Sequence, residues 1–252
     1  MEKIKIIYEP QEDNPFLVIY KPKALASAPL SKDDKNNALA QALELFPQIK
    51  NVKGKKEIEY GLLHRLDTVT DGLLMIATEQ NFYDYLIEEQ KNGHFIKTYQ
   101  ALCNYNPRDD VNEMQAKDGF PPYHTKPIFE GQKFTMSSYF RYFGKGNKEV
   151  RPVTKESGKK ILEKAGKLKE YTTNVFIKKK IDKDFLVECS ITQGFKHQVR
   201  CHLAWSGLPI INDCVYNKKN KTINDNEEKS IKFTATKIEF EYPLGKKHIF
   251  EL

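Results

Sequence analysis

The sequence of 252 residues predicts a globular protein built from both strands and helices. Its composition, with 39% hydrophobic, 30% charged and 12% aromatic residues, is typical of a soluble folded chain. Apolar side chains alternate or run together over some short stretches, which indicates strands, and recur at helical spacing over others. No stretch reaches the roughly 18 to 20 apolar residues of a membrane-spanning helix, and residues 1–7 lack the apolar core of a signal peptide. We therefore expect a cytoplasmic protein.

The first third of the chain predicts two strands and one helix. Residues 15–21 are an apolar run that ends at a proline, and residues 38–46 have helical apolar spacing that also ends at a proline. A polar loop follows. The Asp, Thr and Gly residues within 61–72 then indicate a turn, and the five apolar residues 73–77 indicate a buried strand. The turn is therefore expected to be held by a rigid strand.

A helix and a strand are predicted next. Thr78 is suited to cap a helix over residues 79–90, which a glycine ends. Residues 95–103 alternate in polarity as a strand does, and the alternation places Lys97 and Tyr99 on one face. Tyr99 is then fixed on a rigid element.

The second half of the chain begins irregularly. Prolines and glycines interrupt residues 104–150 around the aromatic and basic stretch 139–145, which we interpret as core or as a hairpin that lines an RNA surface. The later elements predicted are a solvated helix over 154–170, strands over 171–177 and 185–191, and a short helix over 197–205. No repeat and no Gly/Ser linker divides the chain.

Charge indicates a polyanionic partner. The 41 basic and 34 acidic residues give a net charge of +7 and a pI near 9.0, which favours association with phosphate backbones. Most basic residues are lysines. Because the rigid fork of arginine suits a geometric need that lysine does not meet, Arg65 and Arg200 are singled out.

The cysteines do not indicate a disulfide or metal framework. Cys103, Cys189, Cys201 and Cys214 are scattered without a C-x-x-C pair, and we expect buried free thiols. A metal site could recruit His197, Cys201 and His202, but their spacing lacks the paired short gaps that zinc sites usually show.

Several motifs together carry a family resemblance. The segment His64-Arg65-Leu66-Asp67, followed by Thr70, Gly72 and two leucines, resembles the HRLD-x-x-T-S-G-L-L signature of the RluA-like pseudouridine synthases. Further segments resemble the family's pattern in the expected order, namely a first strand ending in Lys21-Pro22, the K-x-Y-x-A-L strand at 97–102, the T-G-R-x-H-Q-I-R-x-H-L stretch at 192–203, and G-x-P-I-x-x-D-x-x-Y at 207–216. The resemblance covers residues 12 to about 216.

The sequence departs from the family pattern at three places. Asp71 stands where the family usually has Ser, and Ala24 stands at the Gly of K-P-x-G. Gln193-Gly194-Phe195 replaces the usual T-G-R turn, so Phe195 cannot make the hydrogen bonds of the usual arginine.

The resemblance implies an α+β class and the pseudouridine synthase fold, a mixed, mostly antiparallel sheet flanked by helices around a basic catalytic cleft. It also places the first strand a few residues from Met1. We therefore expect residues 1–252 to form a single catalytic domain without the S4-like N-terminal RNA-binding module of some relatives.

The resemblance also implies a chemistry and its residues. Pseudouridylation breaks the N-glycosidic bond of an RNA uridine and rejoins the base through C5, and a carboxylate can serve there as nucleophile or as base at the sugar. The resemblance assigns this role to Asp67, with Arg200 as its orienting partner and Tyr99 packed on the uracil. Arg65 is expected to fill the space that the flipped-out uridine leaves. The RNA-binding set is completed by His64, Lys97, Lys196, His197 and Gln198, of which the two histidines and Gln198 are expected to organise loops by hydrogen bonds.

The resulting hypothesis is an RNA pseudouridine synthase that acts on structured tRNA or rRNA. We expect no metal or organic cofactor because the reaction is an isomerisation, no membrane association, and a monomer with no obligatory protein partner. A catalytically silent RNA-binding protein on the same fold is the main alternative. A glycoside hydrolase would need a second carboxylate, and a protein-interaction module would not need Arg65 and Asp67 together.

Overall fold

The computed structural model describes residues 2–106, 119–123, 127–166, 168–217, 230–242 and 245–252. Its helices and strands are, in chain order, β1 (Lys5–Tyr8), β2 (Phe16–Lys21), α1 (Ala38–Leu45), β3 (Asp71–Ala77), α2 (Gln80–Asn92), β4 (Ile96–Asn104), β5 (Lys133–Phe143), β6 (Glu149–Val153), α3 (Lys159–Lys164), β7 (Tyr171–Ile181), β8 (Asp184–Ile191), α4 (Gln198–Trp205), β9 (Phe233–Glu241) and β10 (Lys247–Glu251). Short 3-10 helices lie at Pro47–Asn51, Glu57–Glu59 and Lys145–Asn147. Of the irregular stretch 104–150, residues 107–118 and 124–126 lie outside the described residues.

The chain divides into two compact units. The first comprises Met1–Tyr99 and Thr234–Leu252, and the second comprises Gln100–Phe233. One boundary therefore falls inside β4, directly after Tyr99, and the other at the start of β9. The expectation of a single catalytic domain stays a prediction.

The first unit is built on paired strands with an aromatic core. β1 pairs with β2, β2 with β3, and β9 with β10 in antiparallel fashion, while β3 and β9 are parallel. The rings of Phe16, Phe82, Phe95 and Phe240 are fully buried and meet at centroid distances of 5.0 to 6.1 Å. Such ring pairs add about 0.5–1.5 kcal/mol each beyond the burial of their area. The side chains of Leu73 and Met75 of β3 pack in the same core cluster, so the strand that follows the Asp67 loop is held by this core.

The strands β5 to β8 of the second unit pair in antiparallel fashion. β5 pairs with β6 and with β7, and β7 pairs with β8. Its core combines side chains of β5, β6 and α4, including Met136, Phe140, Val150 and Trp205. Mixed but mostly antiparallel strand pairing together with helices confirms the predicted α+β class.

Most predicted elements are present within a few residues, and four details of the prediction are wrong. Glu79, not Thr78, is the N-cap of α2, because the Thr78 amide instead donates to the Pro15 carbonyl at 2.9 Å and continues the strand. The helix predicted over 154–170 shortens to the six residues of α3, which buries no side chain. The sequence patterns did not indicate β1, β9 and β10, and they gave no strand bounds for β5 and β6 within the irregular stretch. Cys214 is exposed, although the other three cysteines are buried as expected. In the described part of the chain, no helix is long and apolar enough to cross a membrane.

Candidate active site

The segment that contains Asp67 folds back on β3. The amide of Leu63 donates to the Met75 carbonyl at 3.2 Å, and the amide of Ala77 donates to the Gly61 carbonyl at 2.8 Å. Gly61 lies so close to the Ala77 carbonyl that a Cβ would collide with it. The loop between these paired ends is therefore short and anchored on both sides.

Asp67 begins a turn at the tip of this loop. The Thr70 amide donates to the Asp67 carbonyl at 3.0 Å, which closes a four-residue turn immediately before β3. Asp67 is half-buried, and the two following residues are exposed. The predicted placement of Asp67 on a loop held by a strand agrees with this geometry.

Ser27 holds the peptide group of the residue before Asp67. Its hydroxyl donates to the Leu66 carbonyl at 2.8 Å and accepts from the Leu66 amide at 2.9 Å. Ser27 and Leu66 are both buried, so neither backbone group has water as a substitute partner. Ser27 is a positioning residue that the sequence patterns missed.

His64 and Gln90 fix the base of the loop. The Met75 amide donates to His64 Nε2 at 3.2 Å, and Gln90 Nε2 donates to the Leu63 carbonyl at 3.0 Å. Burial, with a smaller contribution from the charge of Lys97, lowers the pKa of His64 to about 3. His64 is therefore neutral near pH 7. Its hydrogen bond fits the predicted loop-organising role, and RNA binding by His64 stays a prediction.

The glycine of the motif permits a close strand contact. Gly72 has φ +119 and pairs with Ala235 of β9, whose backbone a Cβ at position 72 would strike. A larger residue would separate β3 from β9 just beside the turn. The family's glycine at this place thus has a steric reason in this chain.

Asp71, where the family usually has Ser, links three strands. Its carboxylate accepts the Tyr20 hydroxyl at 2.7 Å and the Thr234 hydroxyl at 2.9 Å. Burial and then the hydrogen bond to Asp71 raise the pKa of Tyr20 to about 12. The carboxylate of Asp71 is engaged structurally, which argues against a second catalytic carboxylate of the glycoside hydrolase kind.

Lys21 is a buried cation beside both carboxylates. It is 0% exposed, and its Nζ donates to the carbonyls of Pro22 and Leu25 at 2.8 and 2.7 Å. Burial lowers its pKa to about 8, while the charges of Asp71 and Asp67 act in the opposite direction. The lysine was part of the Lys-Pro resemblance but was not predicted as a site residue, although a lysine ending a buried strand is rare enough to signal one.

Tyr99 lies within electrostatic range of Asp67. Its side chain is 7% exposed on β4. Burial, and then the negative charge of Asp67, raise the pKa of the Tyr99 hydroxyl above its ordinary range, so the phenol is protonated near pH 7. Asp67 and Tyr99 therefore both belong to the first unit, and their catalytic roles stay predictions.

The predicted RNA-binding residues of the first unit differ in exposure. Arg65 is exposed, and its Nη1 contacts Glu59 Oε1 at 3.2 Å. Lys97 is 4% exposed, with its Nζ 4.6 Å from the centroid of the Phe95 ring, and burial lowers its pKa to about 7. Arg65 has the surface position that an RNA contact requires, whereas an RNA contact by Lys97 stays a prediction.

Arg200 belongs to the second unit and binds Asp213. Its Nε and Nη2 donate to the two carboxylate oxygens at 2.8 Å each, and both side chains are buried. The pairing with Asp67 that the resemblance implies would join residues of different units, and it stays a prediction. Asp213 also accepts from the amides of Val215 and Tyr216.

The other predicted residues of the second unit make internal hydrogen bonds. His197 lies in a left-handed conformation before α4, and its Nδ1 is 3.1 Å from the Tyr216 hydroxyl. Gln198 is 2% exposed, donates to the Thr172 carbonyl and accepts from the Phe195 amide. Lys196 is exposed, and its Nζ donates to the Asn147 carbonyl at 2.9 Å. These contacts fit the loop-organising roles, and direct RNA binding by this trio stays a prediction.

His202 and Cys201, two residues of the alternative metal site, make hydrogen bonds within the protein. Nε2 of His202 is 2.9 Å from the Ser138 hydroxyl, and Nδ1 is 2.9 Å from the Thr173 hydroxyl. The Cys201 thiol donates to the Val150 carbonyl. Among the described residues, no group of three or more His, Cys, Asp or Glu side chains is placed to hold a metal ion.

Ala24 shows why the family pattern has glycine there. It has φ +61, in the left-handed region where a Cβ is strained. This chain keeps the conformation without the glycine, at a cost of about 1–2 kcal/mol.

Comparison with known proteins gives one family. A family profile described as RNA pseudouridylate synthase matches residues 15–205. Ribosomal large subunit pseudouridine synthase C of Rickettsia felis is 28% identical over 218 residues, which are 86% of this chain and 58% of that protein. Ribosomal large subunit pseudouridine synthase D of Neisseria meningitidis serogroup B is 24% identical over 229 residues, 91% of this chain and 50% of that protein. The chain thus spans between half and three fifths of the length of these relatives.

Solved structures agree on the fold. Human RNA pseudouridylate synthase domain containing 1 superposes with a TM-score of 0.62 at 16% identity, covering 100% of this chain and 83% of that one. Human RNA pseudouridylate synthase domain containing 4 gives a TM-score of 0.59 at 17% identity, covering 96% and 86%. The fold expected from the resemblance is confirmed.

Proposed function

Because the chain belongs to the RNA pseudouridylate synthase family, we propose that it isomerises uridines of structured RNA to pseudouridine with Asp67 as its catalytic carboxylate. Two relatives are named for the ribosomal large subunit, so ribosomal RNA is the first substrate to assay and transfer RNA the second. The reaction is placed in the cytoplasm, where both RNAs occur.

One observation carries the proposal, namely that several independent bonds hold the turn of Asp67 while its carboxylate remains half-buried at the loop tip. Ser27 holds the preceding peptide, and the Thr70 amide closes the turn. Preorganised placement of a reacting group contributes most when the group cannot move away from its substrate. A loop that only solvates the surface would not require such bonds.

The chemistry needs a carboxylate and a nearby proton donor. The reaction breaks the C1′–N1 bond and forms a C1′–C5 bond, while C5 loses a proton and N1 gains one. Asp67 acts at the sugar as nucleophile or base, and Tyr99, protonated and within range of Asp67, packs on the base and can donate a proton. No electrons are gained or lost, so the balance requires no redox cofactor.

Lys21 balances the charge at this site. The positive charge of the buried Lys21 interacts favourably with the charges of Asp71 and Asp67, which offsets part of the repulsion between the two carboxylates. Arg65 is exposed next to Asp67 and is proposed to enter the space from which the uridine flips, a step that costs a few kcal/mol of unstacking. The +7 net charge supports RNA binding.

The test replaces Asp67 by Asn, which keeps the shape and removes the charge. Single-turnover pseudouridine formation on ribosomal RNA fragments is expected to fall by several orders of magnitude, while RNA affinity stays within about tenfold, roughly 1.4 kcal/mol. Asp84→Asn is the matched control, because Asp84 is exposed on α2 and the change in net charge is identical.

Two outcomes would contradict the proposal. Near-wild-type turnover by a folded Asp67→Asn protein would remove Asp67 from the chemistry. A wild-type protein that binds RNA yet forms no pseudouridine on ribosomal or transfer RNA would favour the silent binder. Arg200→Ala is a poor companion variant, since it leaves the Asp213 carboxylate buried without its guanidinium, a loss that usually costs about 3–5 kcal/mol of stability.

A further inference from the structure

The second unit carries a contiguous group of aromatic rings around Phe195, which we call the Phe195 cluster: Phe140, Tyr142, Tyr171 and Phe195. The Phe195 ring lies parallel to that of Phe140, with centroids 5.1 Å apart and planes 5° apart. Its centroid is 5.2 Å from that of Tyr171 and 5.9 Å from that of Tyr142. The Phe140 and Phe195 rings are therefore stacked, a geometry that aromatic pairs favour, and the two tyrosine rings are tilted against Phe195.

The cluster runs from the core to the surface. Phe140 is 3% exposed, whereas Tyr142, two residues further along β5 on the same face, is 52% exposed. Phe195 and Tyr171 have intermediate exposure. The stretch 139–145, interpreted from sequence as core or RNA-facing hairpin, thus has one ring in the core and the neighbouring ring of that face at the surface, and its contact with RNA stays a prediction.

Several lysines lie close to the cluster in space or in sequence. Lys169 Nζ is 5.5 Å from the Tyr171 ring centroid. Lys196, next to Phe195, is exposed and donates to the carbonyl of Asn147, whose turn also carries the exposed Lys145 and Lys148. Two acidic side chains are close in sequence, Glu149, which is paired with Arg151 at 2.6 Å, and the exposed Glu170. The balance around the rings is positive.

An exposed ring backed by further rings, with lysines nearby, matches the two parts of a single-stranded nucleotide. Bases stack on aromatic faces regardless of sequence, and phosphates pair with lysines. An acidic protein segment would pair with the lysines but would leave the ring face of Tyr142 without a flat partner. Phe195, in place of the family's usual arginine, lacks hydrogen-bond donors but supplies the ring that supports Tyr142.

From this arrangement we propose that Tyr142, supported by Phe195, is a stacking site for one unpaired base of the substrate RNA, with Lys169 and Lys196 contacting the flanking phosphates. The site rests on the proposed function, since it names a further residue by which the same enzyme holds its substrate RNA. The stacking site adds no reaction step. It requires only that the substrate RNA carries an unpaired base in addition to the reacting uridine.

The experiment measures binding of a fluorescent oligouridylate of roughly twelve nucleotides by anisotropy over a range of salt concentrations. Tyr142→Ala is expected to weaken binding about five- to hundredfold without changing the salt dependence, because it removes stacking and no charge. Tyr142→Phe keeps the ring and is expected to bind within about twofold of wild type. Lys196→Ala is expected to lower the slope of log K against log salt by about 0.7.

Tyr105→Ala is the matched control, because Tyr105 is a 38% exposed tyrosine of the same unit whose ring meets Phe185 edge-on. Binding by Tyr142→Ala within about twofold of wild type would overturn the site, as would an equal loss in Tyr105→Ala. Oligouridylate binding does not require catalysis. A wild type that forms no pseudouridine but shows the Tyr142 dependence would therefore refute the proposed function and support the stacking site.

Discussion

Replacing Ser27 by Ala tests whether the hydrogen bonds from Ser27 to the backbone of Leu66 position Asp67 for catalysis. The hydroxyl of Ser27 makes hydrogen bonds of 2.8 and 2.9 Å to the carbonyl and amide of Leu66, and no other atom of an alanine could replace them. Ser27 is 4% exposed and Leu66 is 6% exposed. The variant changes no charge and does not touch the carboxylate, so its effect on catalysis must pass through the position of the turn.

The magnitude follows from the two backbone groups left behind. Each of the two buried groups that loses its partner costs about 1–3 kcal/mol. If the loop keeps its place, the substitution should therefore lower the free energy of unfolding by roughly 2–6 kcal/mol. A loop that relaxes to recover those bonds loses less stability but displaces Asp67, and a shift of about 1 Å typically reduces turnover about a hundredfold. We expect both a loss of stability and a displacement of Asp67. Because the carboxylate acts in the chemical step, kcat should fall while KM changes little.

The assay combines urea unfolding with single-turnover pseudouridine formation. Ser206→Ala is the control, because Ser206 is 1% exposed and its hydroxyl donates to the Leu203 carbonyl within one turn of α4. It should cost about 1 kcal/mol and leave turnover unchanged. If Ser27→Ala unfolds at the wild-type urea concentration and turns over at the wild-type rate, the argument that Ser27 positions Asp67 is refuted.

Two further predictions concern stability. Burial lowers the pKa of His202 to about 3, well below the ordinary 6.5. As pH falls below about 6.5, this histidine takes up a proton in the unfolded chain but not in the folded one. The free energy of unfolding therefore decreases, by up to roughly 1.4 kcal/mol per pH unit from this residue. His202→Asn should therefore make the decline in unfolding free energy between about pH 6.5 and 4 less steep. The control His94→Asn, at an exposed histidine, should keep the wild-type slope. Equal slopes in the wild type and both variants would contradict this prediction. Ala24→Gly should raise the unfolding free energy by about 0.5–1 kcal/mol because φ +61 suits glycine, whereas Ala40→Gly within α1 should lower it by about 0.5–1 kcal/mol. A lower denaturation midpoint for Ala24→Gly would show that Ala24 is not strained.

The parts of the site that are local in sequence could be predicted. Alternation over residues 95–103 placed Lys97 and Tyr99 on one face of β4, and both are buried there. The density of Asp, Thr and Gly after His64 indicated a turn, and the Asp67–Thr70 bond closes one. Short-range geometry of this kind depends on neighbouring residues, which the chain order already supplies.

The strands at the C-terminus were missed for a physical reason. β9 shifts its inward phase near Lys237, where two consecutive residues have intermediate burial, so the regular alternation that indicates a strand is broken. β10 is an edge strand with exposed and half-buried residues along its whole length, and it lacks an apolar face that a pattern could detect.

Sequence alone identified the groups on which the proposed chemistry depends, because the motif around Asp67, the strand that carries Tyr99 and the basic charge balance are all local or compositional. Only the tertiary structure decided what holds those groups. Ser27 meets Leu66 across 39 residues of sequence, and Thr234 meets Asp71 across 163. Tyr142 and Phe195 form one surface although they lie on different elements. Contacts between distant residues arise from how strands pair and which faces pack, and no local pattern of side chains encodes that choice.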